Sequence, residues 1–557
     1  MVTRFTDTIL NMINIKKEII ILCVIFIIAL FVRFYDLAGN PPSLTWDEVS
    51  WGYNAYTLGQ VGRDEFGVFL PVTFLESFGD FKPPVYAYLS ILPIKILGIN
   101  EFSTRFVSAL FGSISILIVY LLTIQIFYQS KKKKLLGLTA AALLAISPWH
   151  ILLSRAAFEA NVASFFIMFG VFLYLYSTRS GIKFWFLLIS CLSFVTALYT
   201  FNTSRVFLPI FVPLLFAFRY KTLLSNYKAV VVAVLPAILL CIPLFMFLIT
   251  PQAKLRYEEV NIFSDIKVIE RTNQEILNDN NSSFSKIIHN RRLAYGVEYV
   301  KHYLDNFDPG FLFITGDGNP KFSIQDVGQL YIWELPFLIL GIGMLVRKRE
   351  GCWYILPLWI LIGIIPAATA RETPHALRIE TTLPAFQILT AYGLLLSYRY
   401  IFERLKNKKV LFLLLGVFGI ICISVFTYFM HTYFVHYPKT YAGEWQYGYK
   451  EAINFSESQK SKYKKIYITE DLGRPYIYVL FYGKYDPNTL KSAEITREAL
   501  GFVHVNRFGK YNFAKELPYG EDKVLYISSP HKVPNGAHRL KNFKLPNGAT
   551  VLVAYEK

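Results

Sequence analysis

Cysteine and charge are both scarce in this sequence. Only 5 of the 557 residues are cysteines, and 17% of the residues are charged. The cysteines lie within apolar runs or at their ends, at positions 23, 191, 241, 352 and 422. This placement excludes a disulfide framework and a CxxC metal site. No set of His, Asp and Glu has the spacing of metal ligands, so we predict no required cofactor; a divalent metal stays open but is not indicated.

Internal repeats and mixed basic and aromatic patterns are also missing. The lack of a repeat argues against a transporter built from inverted halves. The net charge is +18, but lysine and arginine concentrate in short segments between apolar runs and do not interleave with aromatics. This distribution argues against nucleic-acid binding and is typical of cytoplasmic loops in membrane proteins.

Long apolar runs are abundant. Hydrophobic residues make up 54% of the chain, with 48 Phe and 37 Tyr. Runs of roughly 17–25 apolar residues are what a bilayer core about 30 Å thick requires of a spanning helix. We therefore predict a polytopic α-helical membrane protein with about eleven transmembrane helices, near 19–36, 105–127, 135–153, 162–178, 184–200, 205–219, 229–249, 329–346, 352–369, 383–398 and 410–430.

The basic clusters set the predicted orientation. Lys16 and Lys17 precede the first span, and the run 131–134 follows the second. With eleven spans, these and all later basic clusters fall on the cytoplasmic side, and the C-terminus lies outside. The short segment 83–98, which contains Pro93 and Lys95, must then lie along the outer membrane surface.

Three long segments face outward in this topology: 37–103, 251–328 and 432–557. The middle one contains "IIHNRRLAYGVEYVKHYLDNF", which is predicted to form an amphipathic helix. A stretch rich in Asn and Ser at 278–285 precedes it and is predicted to be disordered. The last contains strand-like runs at 464–469, 523–528 and 549–556 and a helix near 474–484. We predict a transmembrane domain over 1–431 and a small extracytoplasmic α/β domain over 432–557.

Charged residues of both signs gather at the predicted outer face. They come from three loops and comprise Asp47, Glu48, Asp80 and Lys82, then Arg155 and Glu159, then Arg371, Glu372, His375, Arg378 and Glu380. Ionisable residues beside spans mark functional sites. A sugar on a polyprenyl phosphate has a good leaving group, which needs cations and no general acid. The acceptor hydroxyl needs one carboxylate as a base.

Structural explanations exist for the same residues. Asp47 is a good residue to cap a helix that begins at "EVSWGYNAY". Lys82 is placed as an interfacial lysine would be. Arg155 and Glu159, at i and i+4, are spaced to form an ion pair, and a lone histidine such as His375 is more often structural than catalytic.

The motifs "TWDE", "FKPPVYAYL" and "LGINEFSTRFVSALFG" resemble the first outer loop and second span of GT-C glycosyltransferases. Among these, the chain is similar to the protein O-mannosyltransferases and the aminoarabinose transferases. The resemblance is good over 30–165, fainter over 290–400 and absent from the C-terminal domain. Two features depart from the aminoarabinose transferases: Ser50 stands where they carry an arginine shortly after the acidic pair, and "TPHALR" differs from their sequence.

The resemblance implies a polyprenyl-phosphate-linked sugar as donor, transfer with inversion, and a site between the first outer loop and the membrane. It places the catalytic carboxylate at Asp47, the lysine near the donor phosphate at Lys82 and the arginine of the second span at Arg105. A second acidic residue, often Asp in the family, falls on Glu159. We further predict that substrate contacts involve Glu48, Tyr86, Arg155, Arg371, His375 and Arg378.

The sequence therefore predicts a hexosyl or pentosyl transferase of a prokaryotic plasma membrane, with its site facing outward. Its partners are the lipid-linked sugar, membrane lipids and an acceptor, and glycan, glycolipid and protein acceptors all stay open. Two other interpretations are a lipid-linked saccharide transporter, which needs the cations but no base, and a structural envelope assembly factor, which leaves the charged loops unexplained.

Overall fold

The computed structural model describes residues 2–405, 407–498 and 502–557. Its α-helices α1–α22 are Val2–Phe34, Trp46–Val61, Val85–Leu97, Glu101–Ile126, Lys133–Ile146, Pro148–Arg155, Glu159–Ser177, Phe184–Leu198, Ser204–Ala217, Tyr220–Ser225, Tyr227–Leu248, Pro251–Val260, Ile266–Asn278, Ser283–Ile288, Arg291–Asp305, Leu335–Lys348, Ile355–Ala368, Ala385–Arg404, Lys408–His431, Tyr437–Tyr441, Tyr449–Gln459 and Pro475–Tyr482. Its strands β1–β9 are Leu75–Ser77, Asp80–Lys82, Lys465–Thr469, Glu494–Arg497, Val503–Phe508, Tyr511–Ala514, Val524–Ser528, His538–Lys544 and Thr550–Glu556.

Each of the eleven predicted spans falls on a helix, or on the bent pair α5–α6. By length and composition, four described helices are able to cross a membrane. They are Glu101–Ile126, Glu159–Ser177, Tyr227–Leu248 and Lys409–Trp445, the last of which runs without a break through α19 and α20. A fifth is added if α5 and α6, which meet at 56°, form one broken span. The break lies at Pro148, since proline fits the first turn of a new helix but not a helix interior.

Helices α16 and α18 cross at backbone contact. A Cβ atom on Gly341 would lie 2.1 Å from the carbonyl oxygen of Leu389, and one on Gly393 would lie 1.9 Å from that of Phe337. No side chain fits at either position. Small residues that let backbones approach are a common way to pack helices in membranes, where the lipid offers no hydrophobic driving force.

The start of α2 fixes the directions of the adjacent carboxylates of Asp47 and Glu48. Thr45 caps the helix, and its hydroxyl accepts the Glu48 N–H at 3.3 Å while the Glu48 carboxylate accepts the Thr45 N–H at 3.0 Å. This reciprocal capping turns Glu48 into the protein. Asp47 lies one residue earlier, about 100° around the helix, and its side chain is 52% exposed. Capping is therefore not the role of Asp47.

The C-terminal segment forms a mixed seven-stranded sheet in the order β4-β5-β6-β3-β7-β9-β8. Strand β3 lies in the middle, parallel to both β6 and β7, and the other pairs are antiparallel. The predicted runs at 464–469, 523–528 and 549–556 match β3, β7 and β9, and the helix near 474–484 matches α22. Strands β4, β5, β6 and β8 were not predicted, because they are short or carry many polar residues.

The prediction of one continuous amphipathic helix in the middle outer segment is wrong. Helix α14 ends at Ile288, and α15 begins at Arg291 with Asn290 as its cap. The predicted disorder at 278–285 is also not observed: a turn with Asn280 and Asn281 at positive φ joins α13 to α14. Asparagine tolerates this left-handed conformation well, so an Asn-rich stretch suits a tight turn.

The C-terminal sheet domain shares an apolar core with the first outer loop. Helix α22 packs on α2, and Val49 and Trp51 lie in the same buried cluster as Ile477 and Phe481. The hydroxyl of Tyr478 donates to the carbonyl of Leu44 at 2.9 Å. Helix α22 of the C-terminal domain thus holds the loop that carries Asp47 and Glu48.

Glu65 is buried at this junction. It is 1% exposed, and the Tyr476 hydroxyl lies 3.5 Å from its carboxyl group. Burial raises the pKa of Glu65 to about 8, so at neutral pH the folded protein holds a proton that the unfolded chain releases. Burial also raises the pKa of the neighbouring Asp64 to about 6.

These shifts predict that stability falls as the pH rises. A carboxyl whose pKa is raised by folding stabilises the fold fully below its ordinary pKa and loses that contribution as pH rises to the folded pKa. Asp64 contributes up to about pH 6 and Glu65 up to about pH 8, so the comparison of Glu65→Gln with the unmodified protein between pH 6 and 8 isolates the contribution of Glu65. In Glu65→Gln, the loss over this window should be smaller by up to about 3 kcal/mol. Unfolding in detergent at several pH values measures this, and parallel profiles for both proteins would contradict it.

Candidate active site

A cavity of about 490 Å³ lies where the first outer loop, the turn between α6 and α7, the start of α9 and segment 366–378 meet. Five of the predicted site residues line it: Asp47, Lys82, Glu159, His375 and Arg378. The other five predicted residues, Glu48, Tyr86, Arg105, Arg155 and Arg371, do not line it. The three charged loops that the sequence placed at one face therefore do converge, but only part of each faces the cavity.

Asp47 and Lys82 form an ion pair at the cavity wall. The lysine comes from strand β2 and is 6% exposed. Its ammonium lies 5.3 Å from the ring centroid of Trp51 and 5.0 Å from that of Phe78. Cations bind the faces of aromatic rings, so the two rings and the carboxylate fix the position of this charge. Lys82 is therefore a held cation inside the protein, and it does not snorkel to the membrane surface.

Glu159 lines the cavity at the first turn of α7. A carboxylate at this position interacts favourably with the helix dipole. The predicted ion pair between Glu159 and Arg155 is not formed, because Arg155 points to the other side of the turn and binds backbone carbonyl groups.

Arg205 is a cavity cation that the sequence analysis missed. It lies in the first turn of α9, and its Nε donates to the carbonyl of Leu198 at 3.2 Å. Its Nη2 atom is buried and has no hydrogen-bond partner among the described residues. The available signal was its position: Arg205 stands at the predicted outer end of a span, where the positive-inside rule gives no reason for a cation.

His375 and Arg378 come from the loop before α18. Burial, assisted by Arg378, holds the pKa of His375 well below its ordinary value, so its imidazole is neutral at pH 7. It packs against Phe322 with ring centroids 4.8 Å apart. Arg378 donates to the carbonyl of Glu372 at 2.8 Å. His375 therefore offers the cavity a neutral hydrogen-bonding group, and Arg378 offers a cation.

Glu48 and Arg105 form a buried ion pair behind the cavity, and both side chains are 0% exposed. Arg105 Nε donates to Glu48 at 2.8 Å, and the guanidinium also donates to the carbonyl oxygens of Pro41 and Ser43. Glu48 accepts the N–H of Ala157 at 2.9 Å. The pair joins α2, α4 and the turn before Glu159. Neither side chain lines the cavity, and in this structure both act as positioning residues for the loops around it. The predicted substrate role of Glu48 stays a prediction.

Arg155 is also a positioning residue. It is fully buried and donates to the carbonyl oxygens of Val32 at 2.7 Å and Asn40 at 2.8 Å. Its guanidinium lies 4.8 Å from the ring centroid of Phe434. It ties the end of α1 to the first outer loop and does not line the cavity. The predicted substrate contact of Arg155 stays a prediction.

Tyr86 and Arg371 are likewise outside the cavity. The Tyr86 hydroxyl is buried and donates to the carbonyl of Thr104 at 2.9 Å. Arg371 donates to the carbonyl oxygens of Asn261 at 3.2 Å and Ser264 at 3.3 Å. These hydrogen bonds hold α3 and the middle outer segment, and the substrate contacts predicted for Tyr86 and Arg371 stay predictions.

The cavity as a whole is balanced in charge. Four acidic and four basic side chains line it: Asp47, Asp80, Glu159 and Glu372, and Lys82, Arg205, Lys321 and Arg378. Among the described residues, no group of three or more His, Cys, Asp or Glu side chains is placed to hold a metal ion. The arrangement suits a substrate that carries both an anion and hydroxyl groups.

Two comparisons with known proteins bear on this site. Residues 23–255 match the family model of dolichyl-phosphate-mannose-protein mannosyltransferase. The matched region contains α2, the Asp47–Lys82 pair, Glu159 and Arg205. No curated protein matches the chain significantly in sequence.

Several solved structures are similar to the whole chain. ArnT from Cupriavidus metallidurans in the apo state matches with a TM-score of 0.51 and 11% identity, over 98% of each chain. The same protein bound to undecaprenyl phosphate gives a TM-score of 0.49 and 12% identity, over 97% of each chain. The oligosaccharyltransferase of Archaeoglobus fulgidus gives a TM-score of 0.48 and 12% identity over 84% of this chain. The chain spans only 63% of that protein's length.

The predicted architecture, a bundle of apolar helices with a C-terminal α/β domain, is confirmed by the end-to-end match to ArnT. The predicted resemblance of the N-terminal region is confirmed by the family model. This chain has the fold of the GT-C glycosyltransferases, and its residues 23–255 match the protein mannosyltransferase family.

Proposed function

We propose that the protein is a membrane glycosyltransferase that moves a hexosyl or pentosyl group from a polyprenyl-phosphate carrier to an acceptor hydroxyl at the outer face. The observation that carries this proposal is the cavity, where Asp47 and Glu159 face Lys82 and Arg205. The family match supports the donor class, because its members are described as using dolichyl-phosphate-mannose. The same cavity accommodates an anion, a sugar and an acceptor hydroxyl.

Asp47 is the base in this proposal. Its carboxylate removes the proton of the acceptor hydroxyl as the oxygen attacks the anomeric carbon. The bond between that carbon and the phosphate oxygen breaks, and the phosphate leaves with its carrier. One displacement inverts the configuration at the anomeric carbon. Glu159 orients the acceptor or the hydroxyl groups of the sugar.

Lys82 and Arg205 stabilise the leaving phosphate. Lys82 is fixed between two rings and a carboxylate, and Arg205 has an uncommitted Nη2 atom. Preorganised cations of this kind stabilise charge as it develops and need no rearrangement during the reaction. Arg378 is a third cation within the same cavity.

The lipid tail has an apolar route to the cavity along α11. Phe247 and Leu248 at the end of this helix line the cavity. The preceding turns expose Ile238 at 56%, Ile242 at 51% and Phe245 at 65%. An exposed apolar surface that leads into a charged cavity fits a ligand with a hydrocarbon tail and a phosphate head.

A vesicle assay tests this proposal. Purified protein in lipid vesicles receives radiolabelled undecaprenyl-phosphate sugars one at a time, with a membrane extract as acceptor. We expect label to leave the lipid carrier and appear in the acceptor fraction with one donor. Label that crosses the bilayer while still attached to its carrier would instead establish the transporter interpretation, to which the comparisons give no support.

Arg205→Gln should reduce kcat/KM for the lipid-linked sugar by about 10–100-fold, since a charge-assisted hydrogen bond to phosphate is lost. Arg205→Lys, which keeps the charge, should recover part of the loss. Arg371→Gln is the matched control, because this nearby arginine does not line the cavity. A rate for Arg205→Gln equal to that of the unmodified protein would remove Arg205 from the site.

A further inference from the structure

Helix α15 of the middle outer segment exposes its apolar side. Leu293, Val297, Val300 and Leu304 are 55%, 67%, 55% and 59% exposed. Their spacing of 4, 3 and 4 residues places them on one face of the helix. We call these four residues the apolar stripe. Two residues of the short helix α14, Phe284 and Ile287, extend this exposed surface at 71% and 66% exposure.

The polar side of α15 faces the protein. His302 is 7% exposed, and its Nδ1 lies 2.8 Å from the carbonyl oxygen of Ala370. Asn306 is fully buried and donates to the Thr373 hydroxyl at 3.2 Å. Glu298 pairs with Arg271 at 3.7 Å. The usual pattern of a helix on a water-soluble surface is the opposite, with the apolar side inward.

Exposed basic residues lie on the same two helices as the stripe, and Lys301 lies beside it on α15. Lys286, Arg291, Arg292 and Lys301 are all exposed on α14 and α15. Cations beside an exposed apolar face are typical of helices that lie in the headgroup region of a bilayer.

Helix α15 also contacts the helix bundle. The Tyr303 hydroxyl of α15 donates to the carbonyl of Leu361 in α17 at 2.9 Å. The Leu361 side chain is itself 48% exposed, on a helix with an entirely apolar sequence. The surface of α15 therefore adjoins a surface of the bundle that has the character of a lipid contact.

From these observations we propose that the stripe is a lipid-binding surface, with α15 lying in the outer leaflet and the exposed cations of α14 and α15 on phospholipid headgroups. This surface is separate from the cavity and does not depend on the proposed function. It has one consequence for the cavity: α15 bonds directly to residues 370–375, and the N–H of His375 donates to Asn306 at 3.3 Å. The bilayer thus supports the cavity wall that carries His375.

Spin-label accessibility in the full-length protein tests this proposal. A nitroxide is attached at Val297→Cys or, separately, at Val300→Cys, with Cys23, Cys241 and Cys422 replaced by alanine and the protein held in phospholipid nanodiscs. The control position is Glu516→Cys on the C-terminal domain, where the native side chain is 85% exposed. Oxygen, which concentrates in lipid, and a nickel chelate, which stays in water, are the two relaxing agents.

At both positions on α15 we expect oxygen accessibility several-fold higher than nickel accessibility, and the reverse ratio at position 516. High nickel accessibility on α15 would mean that the stripe faces water and would overturn the proposal. Low accessibility to both agents would mean that another protein surface covers the stripe, which overturns it as well. Neither the assay nor its outcome depends on transferase activity.

Discussion

Asp47→Asn should lower the rate of sugar transfer by about 10²–10⁴-fold, which is the usual contribution of a general base. The substitution keeps the size of the side chain and removes the charge that accepts the proton. Because Asp47 is half-exposed at the cavity, the change should not unfold the protein. The measurement is the initial rate of label transfer from the lipid-linked sugar under single-turnover conditions.

The matched control for this experiment is Asp522→Asn. Asp522 belongs to the C-terminal domain, and its side chain is 84% exposed and does not line the cavity. Its transfer rate should equal that of the unmodified protein. If a folded Asp47→Asn protein transfers sugar as fast as Asp522→Asn, then Asp47 is not the base, and Glu159 becomes the next candidate.

Glu48→Ala should have the largest effect on stability. The change leaves Arg105 as a buried cation without its carboxylate, which typically costs about 3–5 kcal/mol. It also removes the acceptor for the N–H groups of Thr45 and Ala157. We expect a lower unfolding temperature in detergent, together with loss of transfer activity, because the loop with Asp47 is no longer held.

A second variant separates the effect of an unpaired buried charge on stability from the effect of lost packing. Glu48→Leu combined with Arg105→Met should be more stable than Glu48→Ala, because no buried charge remains. The double variant should still be less stable than the unmodified protein, because the carbonyl oxygens of Pro41 and Ser43 lose their hydrogen-bond donor. Glu403→Ala, which breaks the exposed pair with Arg399, is the control and should unfold like the unmodified protein. A Glu48→Ala protein as stable as this control would show that the buried pair is unimportant.

Much of the helical architecture was predictable because a bilayer imposes long apolar runs on a spanning helix. All eleven predicted spans fall on helices for this reason. The break between α14 and α15 was harder to predict, since it depends on Asn290 acting as a cap in the middle of a periodic pattern. Strands β4 and β8 were missed because edge strands carry polar and charged residues that hide the alternation of a buried strand.

The site was predictable in its location and only partly in its membership. Asp47 and Glu48 are neighbours in sequence, but the capping by Thr45 sends one to the cavity and the other into the protein. Arg105 and Arg155 resemble anion-binding residues in sequence, yet backbone carbonyl groups of the first outer loop occupy their donors. Carbonyl acceptors are present at every residue, so the sequence does not reveal which arginines they engage.

The shared core of α2 and α22 has a consequence for the order of assembly. Trp51 and Tyr53 on α2 pack with residues that are synthesised more than 400 positions later, as in the hydrogen bonds from Tyr53 to residues 485 and 486. Contacts so distant in sequence form late, because a long chain segment must be closed first. The loop with Asp47 and Lys82 therefore reaches its final packing only after α22 and residues 485 and 486 have been synthesised.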